Sequence, residues 1–324
     1  MLYRVENSVI AARQRYGINV KGECCLNLDL YRLVTENRNP DTMELDKMTP
    51  LEIVTAMNRE DAKVPTAIAT VLPQIAMTVE WAIEAVNSGG RLIYMGAGTS
   101  GRLGVLDAAE CPPTFGVSPD VVVGLIAGGE KAFIKAVEGA EDSFELGAED
   151  LRQIKLTERD VVVGIAASGR TPYVLGGLDY AKKTGCHTAA IACNVGSDVG
   201  AAAEIAIEAV VGPEVLTGST RLKAGTAQKL ILNMISTATM VGVGKVYKNL
   251  MVDVMQTNEK LRLRAEKIVA EAADTDRSEA ARLLREAGGD VKAAIVMSLL
   301  NCSADTAKKR LASAKGHVRR ATGK

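Results

Sequence analysis

Mostly apolar runs of four to seven residues recur through the middle of the chain, and each is too continuous to leave one face in water. They cover residues 92–95, 121–126, 161–166, 187–193 and 205–210. Such runs are typical of strands buried on both faces, and the segments between them carry helical spacing or helix breaks. The alternation predicts an α/β fold on a doubly wound parallel sheet, with ligand-binding loops at the carboxyl ends of the strands.

Helical patterns flank this region on both sides. Thr49-Pro50 supplies an N-cap and a first-turn proline, a second helical segment follows Val64-Pro65, and a third covers about 73–86. After the last strand, the pattern predicts a long apolar helix over 221–241, a helical continuation over 246–270, and short helices over 277–287, 291–300 and 304–314. Asp290 and Ser303 are positioned to cap the last two helices.

These patterns predict three regions along the chain. Residues 1–48 form an N-terminal extension and a polar, turn-rich arm. Residues 49–245 form the α/β domain with its leading helices. Residues 246–324 form a helical C-terminal region that includes a small three-helix bundle.

Composition and charge give no sign of a nucleic-acid or membrane partner. The 324 residues include 39 Lys plus Arg and 39 Asp plus Glu, so the formal net charge is zero. No apolar run approaches the roughly 20 residues of a membrane span, and the first residues are too charged for a signal-peptide core. We therefore expect a soluble, cytoplasmic protein.

The cysteines and histidines do not predict a metal site. There are six cysteines and two histidines, and no two cysteines have C-x-x-C spacing, so carboxylates would have to supply most ligands. We expect reduced, structural cysteines and no metal ion. Cys111 follows Glu110 directly, but packing in the core is its favoured role.

The first candidate site follows the apolar run 92–95. The loop Gly96-Ala97-Gly98-Thr99-Ser100-Gly101 leads into a helix predicted over 102–110, which Pro112-Pro113 should stop. Glycines allow an anion to approach the backbone, and a helix N-terminus favours negative charge. The loop also spells the dinucleotide fingerprint G-x-G-x-x-G, but the next strand ends at Ala127-Gly128-Gly129 without the expected ribose-binding acid.

A second loop of the same kind favours a phosphomonoester over a dinucleotide. Residues Ala167-Ser168-Gly169-Arg170-Thr171 follow another apolar run and repeat the Ser-Gly-Arg triplet found at Ser100-Gly101-Arg102. Backbone N–H groups and hydroxyls from both loops would surround the oxygens of one sugar phosphate. A nicotinamide site and a pair of ordinary glycine turns remain the alternatives.

A third candidate stretch runs from Gly218 to Lys223. Ser219 would cap a helix whose first turn carries Arg221 and Lys223. Cations at that position oppose the helix dipole, so a bound anion would relieve the conflict. A solvated basic turn is the alternative.

Two carboxylates stand out from the solvated helix faces. Glu110 lies among apolar neighbours at a predicted helix C-terminus, where burial and the dipole favour its protonated form and a proton-donor role. Glu141 opens the next predicted helix, where the dipole favours the ionised form and a base. Acid and base roles in one site arise from such opposed environments, and two helix-end acids without a role are the alternative.

Five stretches of this chain closely resemble the N-acetylmuramic acid 6-phosphate etherases, a family of bacterial enzymes built on the sugar isomerase (SIS) fold. The matching stretches are 33–39, 92–116, 124–142, 164–173 and 217–233, and the resemblance extends from about Tyr31 to near the C-terminus. Residues 1–27 resemble an extension that the family does not require. The resemblance implies an SIS-type parallel sheet, and it implies a C-terminal bundle similar to a ubiquitin-associated (UBA) domain.

The resemblance also implies a reaction, in which the D-lactyl ether of N-acetylmuramic acid 6-phosphate gives N-acetylglucosamine 6-phosphate and D-lactate. The family's two functional glutamates fall on Glu110, its proton donor, and Glu141. No metal and no redox cofactor is implied. The residues expected to bind the substrate are Gly98, Thr99, Ser100, Ser168, Gly169, Thr171, Ser219 and Lys223, where Lys223 would neutralise either the phosphate or the lactyl carboxylate. A homodimer with sites near its interface is expected.

The sequence permits two alternative functions. The glucokinase regulatory protein shares the architecture and senses sugar phosphates without this turnover, but the presence of both Glu110 and Glu141 argues against a sensor. An aldose–ketose isomerase is the other rival, and many such enzymes open the sugar ring with histidine. Neither His187 nor His317 lies in a matching stretch.

Overall fold

A computed structural model of the chain describes residues 33–135, 137–254 and 259–323. The predicted extension over residues 1–27, with Cys24 and Cys25, lies outside the described residues, as does the start of the arm. The described chain divides into two compact units, one made of residues 33–108 and 122–235, the other of residues 109–121 and 236–323.

A five-stranded parallel sheet forms the centre of the first unit. Its strands are β1 (Leu92–Gly96), β2 (Val122–Ile126), β3 (Val161–Ile165), β4 (His187–Ala192) and β5 (Ile205–Glu208), in the order β2-β1-β3-β4-β5. Every residue of β1 and β3 is buried, as expected of strands covered on both faces. The predicted doubly wound parallel sheet is thus confirmed.

Helices surround this sheet close to the predicted positions. They are α1 (Pro50–Asp61), α2 (Val64–Ala69), α3 (Leu72–Asn87), α4 (Gly98–Phe115), α5 (Glu130–Ile134), α6 (Phe144–Gln153), α7 (Pro172–Thr184), α8 (Asp198–Ala202) and α9 (Lys223–Gly242). Thr49 caps α1 in a reciprocal capping box with Glu52. The short helix α8 falls in an alanine- and glycine-rich stretch for which no helix was predicted.

Both predicted bounds of the helix after β1 were wrong. The helix begins at Gly98, because its first-turn N–H groups need no intrahelical partner and the glycine-rich loop can therefore serve as its first turn. It also continues through Pro112 and Pro113. The amide of Gly116 still donates to the Pro112 carbonyl (2.9 Å), and Gly116, with a φ of +60°, ends the helix.

The arm over 33–42 is more buried than its polarity predicted. Thr35 and Asn39 are 1% and 4% exposed, so part of this polar arm is buried. The Asn39 amide donates to the carbonyl of Pro213 (3.2 Å), and the Thr42 hydroxyl donates to the carbonyl of Val215 (2.9 Å). Partners more than 170 positions away along the chain satisfy these polar groups and make their burial possible.

The second unit contains a β-hairpin and short helices around its own core. A hairpin of β6 (Val246–Tyr247) and β7 (Leu250–Met251) replaces the start of the predicted helical segment over 246–270. The helices are α10 (Glu259–Ala273), α11 (Arg277–Glu286), α12 (Val291–Leu300), α13 (Ala304–Ser313) and α14 (Val318–Thr322). Asp290 and Ser303 cap α12 and α13, as predicted. Likeness of this bundle to a ubiquitin-associated domain stays a prediction.

Within the described ranges, no single helix is both long and apolar enough to cross a membrane. Residues 50–69 and 72–87 form a bent pair of helices that, taken together, are long and apolar enough.

Candidate active site

Two hydroxyl-rich loops leave the carboxyl ends of neighbouring strands at the same level. Gly96, the last residue of β1, pairs with Ile165, the last residue of β3. Loop 1 (Ala97–Gly101) and loop 2 (Ala166–Thr171) therefore start side by side. In this strand order the crossovers from β1 and β3 run in opposite directions, so the two loops flank the topological switch point where open α/β sheets bind ligands.

Close backbone contacts explain the glycines of loop 1. A Cβ atom on Gly101 would lie 2.5 Å from the Gly96 carbonyl oxygen, and one on Gly96 would lie 2.8 Å from the Gly101 amide nitrogen. Gly98 has a φ of +53° and is exposed. Thr99 and Ser100 then fall in the first turn of α4, where free N–H groups and the helix dipole favour an anion.

Loop 2 is held by the loop that follows β4. Gly169 has a φ of +81°, and a Cβ atom there would lie 2.4 Å from Cβ of Ser197. The side-chain amide of Asn194 donates to the carbonyl of Ser168 at 3.2 Å and to the Thr35 hydroxyl at 3.1 Å. Thr171 is the N-cap of α7, but its side chain makes no capping hydrogen bond. Its hydroxyl is not committed to the helix.

The stretch before α9 lies beside loop 1. A Cβ atom on Gly225 would be 3.6 Å from Cγ2 of Thr99 and 3.5 Å from the carbonyl oxygen of Thr220. The Ser100 hydroxyl donates to Oε1 of Gln228, the residue one turn further along α9, at 3.0 Å. Ser219 lies in the same stretch and is partly exposed, but it precedes α9 and is not its cap.

The carboxylate of Glu214 fills the capping position that Ser219 was predicted to occupy. It accepts from the amides of Lys223 (3.0 Å) and Ala224 (2.9 Å) in the first turn of α9. Glu214 is 0% exposed, and burial raises the pKa of its carboxyl. Glu214 precedes the first residue of α9 by nine positions, whereas an N-cap predicted from sequence is adjacent to its helix. The sequence therefore did not predict this cap.

The side chain of Lys223 lies in a buried ion pair. Its side chain is buried, and its ammonium donates to Oε2 of Glu60 at 2.5 Å, while Lys63 pairs with the other oxygen of the same carboxylate. Burial acts to raise the pKa of Glu60, but the hydrogen bonds and charges of Lys223 and Lys63 outweigh it and lower the pKa. A buried ammonium needs a paired carboxylate, and Glu60 fills that role for Lys223. A contact of Lys223 with the phosphate or the lactyl carboxylate stays a prediction.

Glu141 is fixed through its backbone to the start of α7. Its carbonyl accepts from the Tyr173 amide at 3.0 Å, two residues after Thr171. Helices α6 and α7 approach very closely at glycines: a Cβ atom on Gly176 would lie 1.8 Å from the Phe144 carbonyl oxygen. Ser143 caps α6, so Glu141 precedes this helix instead of opening it, and its side chain is exposed.

Glu110 lies in α4, within the segment that groups with the second unit. Its side chain is exposed, so the predicted burial among apolar neighbours was wrong. The next residue, Cys111, takes the buried position of that turn at 2% exposure, consistent with the packing role predicted for it. Within the described residues, no group of three or more His, Cys, Asp or Glu side chains is placed to hold a metal ion.

Three residues near the loops were not predicted as site residues. Asn194 joins loop 2 to the arm, and Gln228 contacts Ser100. Arg170 belongs to loop 2, and its Nη1 is buried without a hydrogen-bond partner in the part of the chain that the structure describes. Of the three, only Arg170 had a sequence signal, because it completes the repeated Ser-Gly-Arg triplet.

Comparisons with known proteins agree with this geometry. Residues 74–182 match the glucokinase regulatory protein N-terminal SIS domain, and residues 143–238 match the SIS domain. Over 292 residues the chain is 62% identical to the N-acetylmuramic acid 6-phosphate etherase of Halalkalibacterium halodurans, covering 90% of this chain and 98% of that protein. The chain belongs to the N-acetylmuramic acid 6-phosphate etherase family.

Further members of the etherase family come from other bacteria. The Listeria monocytogenes serotype 4b protein is 60% identical over 290 residues (90% of this chain, 98% of that protein), and the Pectobacterium atrosepticum protein is 58% identical over 295 residues (91% and 97%). Among solved structures, phosphoheptose isomerases of Neisseria gonorrhoeae and Francisella tularensis are similar, with TM-scores of 0.48 and 0.49 and identities of 17% and 16%. They cover 59% and 60% of this chain, and 98% and 100% of their own chains. The family resemblance drawn from the sequence is confirmed.

Proposed function

We propose that this chain cleaves the D-lactyl ether of N-acetylmuramic acid 6-phosphate and releases N-acetylglucosamine 6-phosphate and D-lactate. The observation that carries this function is 62% identity to a curated etherase over 90% of the chain. Two hydroxyl-rich loops at the switch point of the sheet supply the kind of site that a sugar phosphate needs. The activity would make the chain a carbon–oxygen lyase of amino sugar metabolism and cell-wall recycling.

The reaction is an elimination followed by a hydration. The open-chain sugar has an aldehyde at C1, which acidifies the proton on C2. A base removes that proton, the C3–O bond breaks, and lactate leaves with a proton from an acid. Water then adds at C3 of the resulting double bond and a proton returns to C2, so neither a redox cofactor nor a metal is required by the balance of the reaction.

Two carboxylates are sufficient for these proton transfers. We assign the C2 base to Glu141 and the acid that protonates lactate to Glu110, which then acts as base toward the incoming water. Support for Glu141 comes from its position: its backbone is tied to the first turn of α7, immediately after loop 2. Exposure of both side chains leaves them accessible to a ligand.

The phosphate would lie between the first turns of α4 and α7. Gly98, Thr99 and Ser100 would provide N–H groups and hydroxyls from loop 1, and Ser168, Gly169 and Thr171 would provide them from loop 2. Ser219 would approach from the stretch before α9. Lys223 would act indirectly, by holding α1 and the start of α9 together through Glu60.

We also propose that the enzyme acts in the cytoplasm as a homodimer. Exposed apolar side chains on the first unit support an interface there, with Ile134 90% and Phe133 41% exposed. Two copies would cover these side chains, which a monomer leaves in water.

Release of D-lactate tests the function directly. Purified protein is incubated with N-acetylmuramic acid 6-phosphate over a range of pH, and D-lactate is measured with a coupled dehydrogenase. Stoichiometric formation of D-lactate and N-acetylglucosamine 6-phosphate is expected. Tight binding of the sugar phosphate without lactate at any pH would instead favour a sensor of the kind found in the glucokinase regulatory protein.

A further inference from the structure

The substrate carries two anionic groups, and the loops described above supply donors suited to only one of them. Backbone N–H groups at a helix N-terminus and hydroxyls are typical ligands of a phosphomonoester. The lactyl carboxylate is a separate planar anion and is best recognised by a cation with paired donors. Lys223, the cation predicted for either role, is committed to Glu60.

Four cations lie in or next to the three candidate stretches: Arg102, Arg170, Arg221 and Lys223. Arg102 is engaged, because its guanidinium donates to the carbonyls of Ala132 and Phe133 at 2.8 Å each. Arg221 is exposed. Arg170 is largely buried, with 21% of its side chain exposed, and its closest described carboxylate, Asp198, is 4.0 Å away. Unlike Arg102 and Lys223, it has no hydrogen-bonded acceptor on its buried Nη1 among the described residues.

Among the described residues, no carboxylate lies close enough to the Arg170 guanidinium to accept a hydrogen bond. The nearest described carboxylate is that of Asp198, at 4.0 Å from Nε, which is too long for a hydrogen bond. Nη1 is buried and has no hydrogen-bond partner among the described residues. A buried donor without an acceptor costs free energy, and a bound carboxylate would remove that cost.

Arg170 also lies within the loop that faces the switch point. It stands between Gly169, whose backbone is packed against Ser197, and Thr171, the N-cap of α7. Both ends of the residue are therefore fixed to regular structure. The planar guanidinium of an arginine placed in this way can bind a carboxylate through two parallel hydrogen bonds.

We propose that Arg170 is the residue that binds the D-lactyl carboxylate of the substrate, an assignment that rests on the proposed etherase function. It distinguishes the substrate from the product, because N-acetylglucosamine 6-phosphate has the phosphate but lacks the lactyl group. Arg170 thus determines specificity for a 3-O-carboxyalkyl sugar phosphate, while loops 1 and 2 bind the phosphate that both molecules share.

A comparison of two ligands in four proteins tests this assignment. The ligands are N-acetylmuramic acid 6-phosphate and its lactyl carboxamide, which keeps the shape and loses the charge. The proteins are the wild type, Arg170→Gln, Arg170→Lys and Arg159→Gln. Arg159 is the matched control, because it precedes β3, at the end of the strand opposite to Arg170, and it donates to the Ser88 carbonyl.

The wild type and the Arg159→Gln control should prefer the carboxylate by about 10- to 100-fold in kcat/KM, the range of a charge-assisted hydrogen-bond pair. Arg170→Gln should have the same kcat/KM for both ligands. Arg170→Lys should keep part of the preference for the carboxylate, because an ammonium has the positive charge but lacks the paired N–H donors of a guanidinium. Inhibition by N-acetylglucosamine 6-phosphate should be unchanged in both Arg170 variants.

Two results would overturn the assignment. One is an undiminished preference for the carboxylate in Arg170→Gln. The other is an equal loss of affinity for substrate and product, which would place Arg170 on the phosphate or in the fold. Should Arg170→Gln fail to fold, the comparison of Arg170→Lys with the wild type decides. Should the wild type release no lactate, equilibrium binding of the same two ligands by calorimetry still tests Arg170, so failure of the function and failure of the assignment are distinguishable.

Discussion

The hydroxyl of Ser100 in loop 1 donates a hydrogen bond to Oε1 of Gln228 on α9, at 3.0 Å. Gln228 is 1% exposed, and its Nε2 has no hydrogen-bond partner among the described residues. Ser100 can donate to a phosphate oxygen only if its proton turns away from Gln228. A side-chain amide can adapt to that change, because after a half rotation its Nε2 donates to the Ser100 oxygen.

This pairing predicts that Gln228→Glu weakens phosphate binding. A carboxylate can only accept, so it would keep the Ser100 proton turned inward and would add a negative charge beside the phosphate. We expect the KM for N-acetylmuramic acid 6-phosphate and the inhibition constant of inorganic phosphate to rise together, by about 10- to 100-fold, with a smaller rise in Gln228→Leu. Gln153→Glu, an exposed position on α6, is the control. Wild-type affinity in Gln228→Glu would show that Ser100 does not donate to the ligand.

The buried pair of Lys223 and Glu60 predicts a loss of stability instead of a loss of substrate contact. Lys223→Met would leave the buried carboxylate of Glu60 with the partly exposed Lys63 as its remaining described partner. Removal of one member of a buried ion pair typically costs about 3–5 kcal/mol, and urea unfolding of the first unit should report it. Lys63→Met is the matched control, because it removes the exposed partner of the same carboxylate. If the two variants were equally stable and only Lys223→Met had a raised KM, Lys223 would be assigned to substrate binding.

The division of labour between the two glutamates predicts different patterns of isotope exchange. If Glu141 removes the C2 proton and Glu110 protonates lactate, Glu110→Ala should incorporate deuterium from D₂O at C2 while it releases little lactate. Glu141→Ala should do neither. We expect both variants to lose about 100- to 10,000-fold in lactate release, the usual contribution of a general acid or base. Proton NMR of recovered substrate measures the exchange, and exchange in Glu141→Ala alone would reverse the assignment.

The largely buried ion pair of Arg91 and Asp160 predicts a loss of stability in acid. Asp160 accepts from Nε and Nη2 of Arg91 at 3.1 and 2.7 Å. Burial acts to raise the pKa of Asp160, but the hydrogen bonds and charge of Arg91 and the amide of Thr157 outweigh it and lower the pKa. The stabilisation is therefore complete above the unfolded-state value of about 3.9 and is lost as the pH falls through the lower folded value.

Urea midpoints measured between pH 5 and pH 2.5 check this prediction. The midpoint of the wild type should fall over that interval more steeply than that of Asp160→Asn, which has no carboxyl to protonate at this position. Asp142→Asn, at an exposed site, should follow the wild type. Parallel curves for the wild type and Asp160→Asn would mean that this pair does not contribute to acid unfolding.

The central sheet was predictable because its signal is local. Strands buried on both faces must be apolar along their whole length, and that requirement marks each of them in the sequence. The N-cap residues Thr49, Asp290 and Ser303 were predictable for the same reason, since a cap and its helix are adjacent in the chain. Failures at helix ends were also local: the glycines of loop 1 and the two prolines of α4 did not break the helix as expected.

The partners of buried polar groups were not predictable, because they lie far away along the chain. Glu60 and Lys223 are separated by 163 positions, and Asn194 and Thr35 by 159. Taken alone, each of these residues is of a type usually found on the surface. No local sequence pattern links it to its distant partner. Exposure of Glu110 was hidden similarly, because the sequence indicates apolar neighbours but not which side of the helix faces the core.

The sequence by itself determined the alternation of strands and helices, the two hydroxyl-rich loops and the family. All three depend on residues that are close together in the chain. Tertiary structure decided which side chains remain free for a ligand: it paired Lys223 with Glu60, placed Gln228 behind Ser100, and left the guanidinium of Arg170 without a close carboxylate. The physical reason is that a buried charge or polar group must find a partner, and only the folded chain determines which partners are within reach.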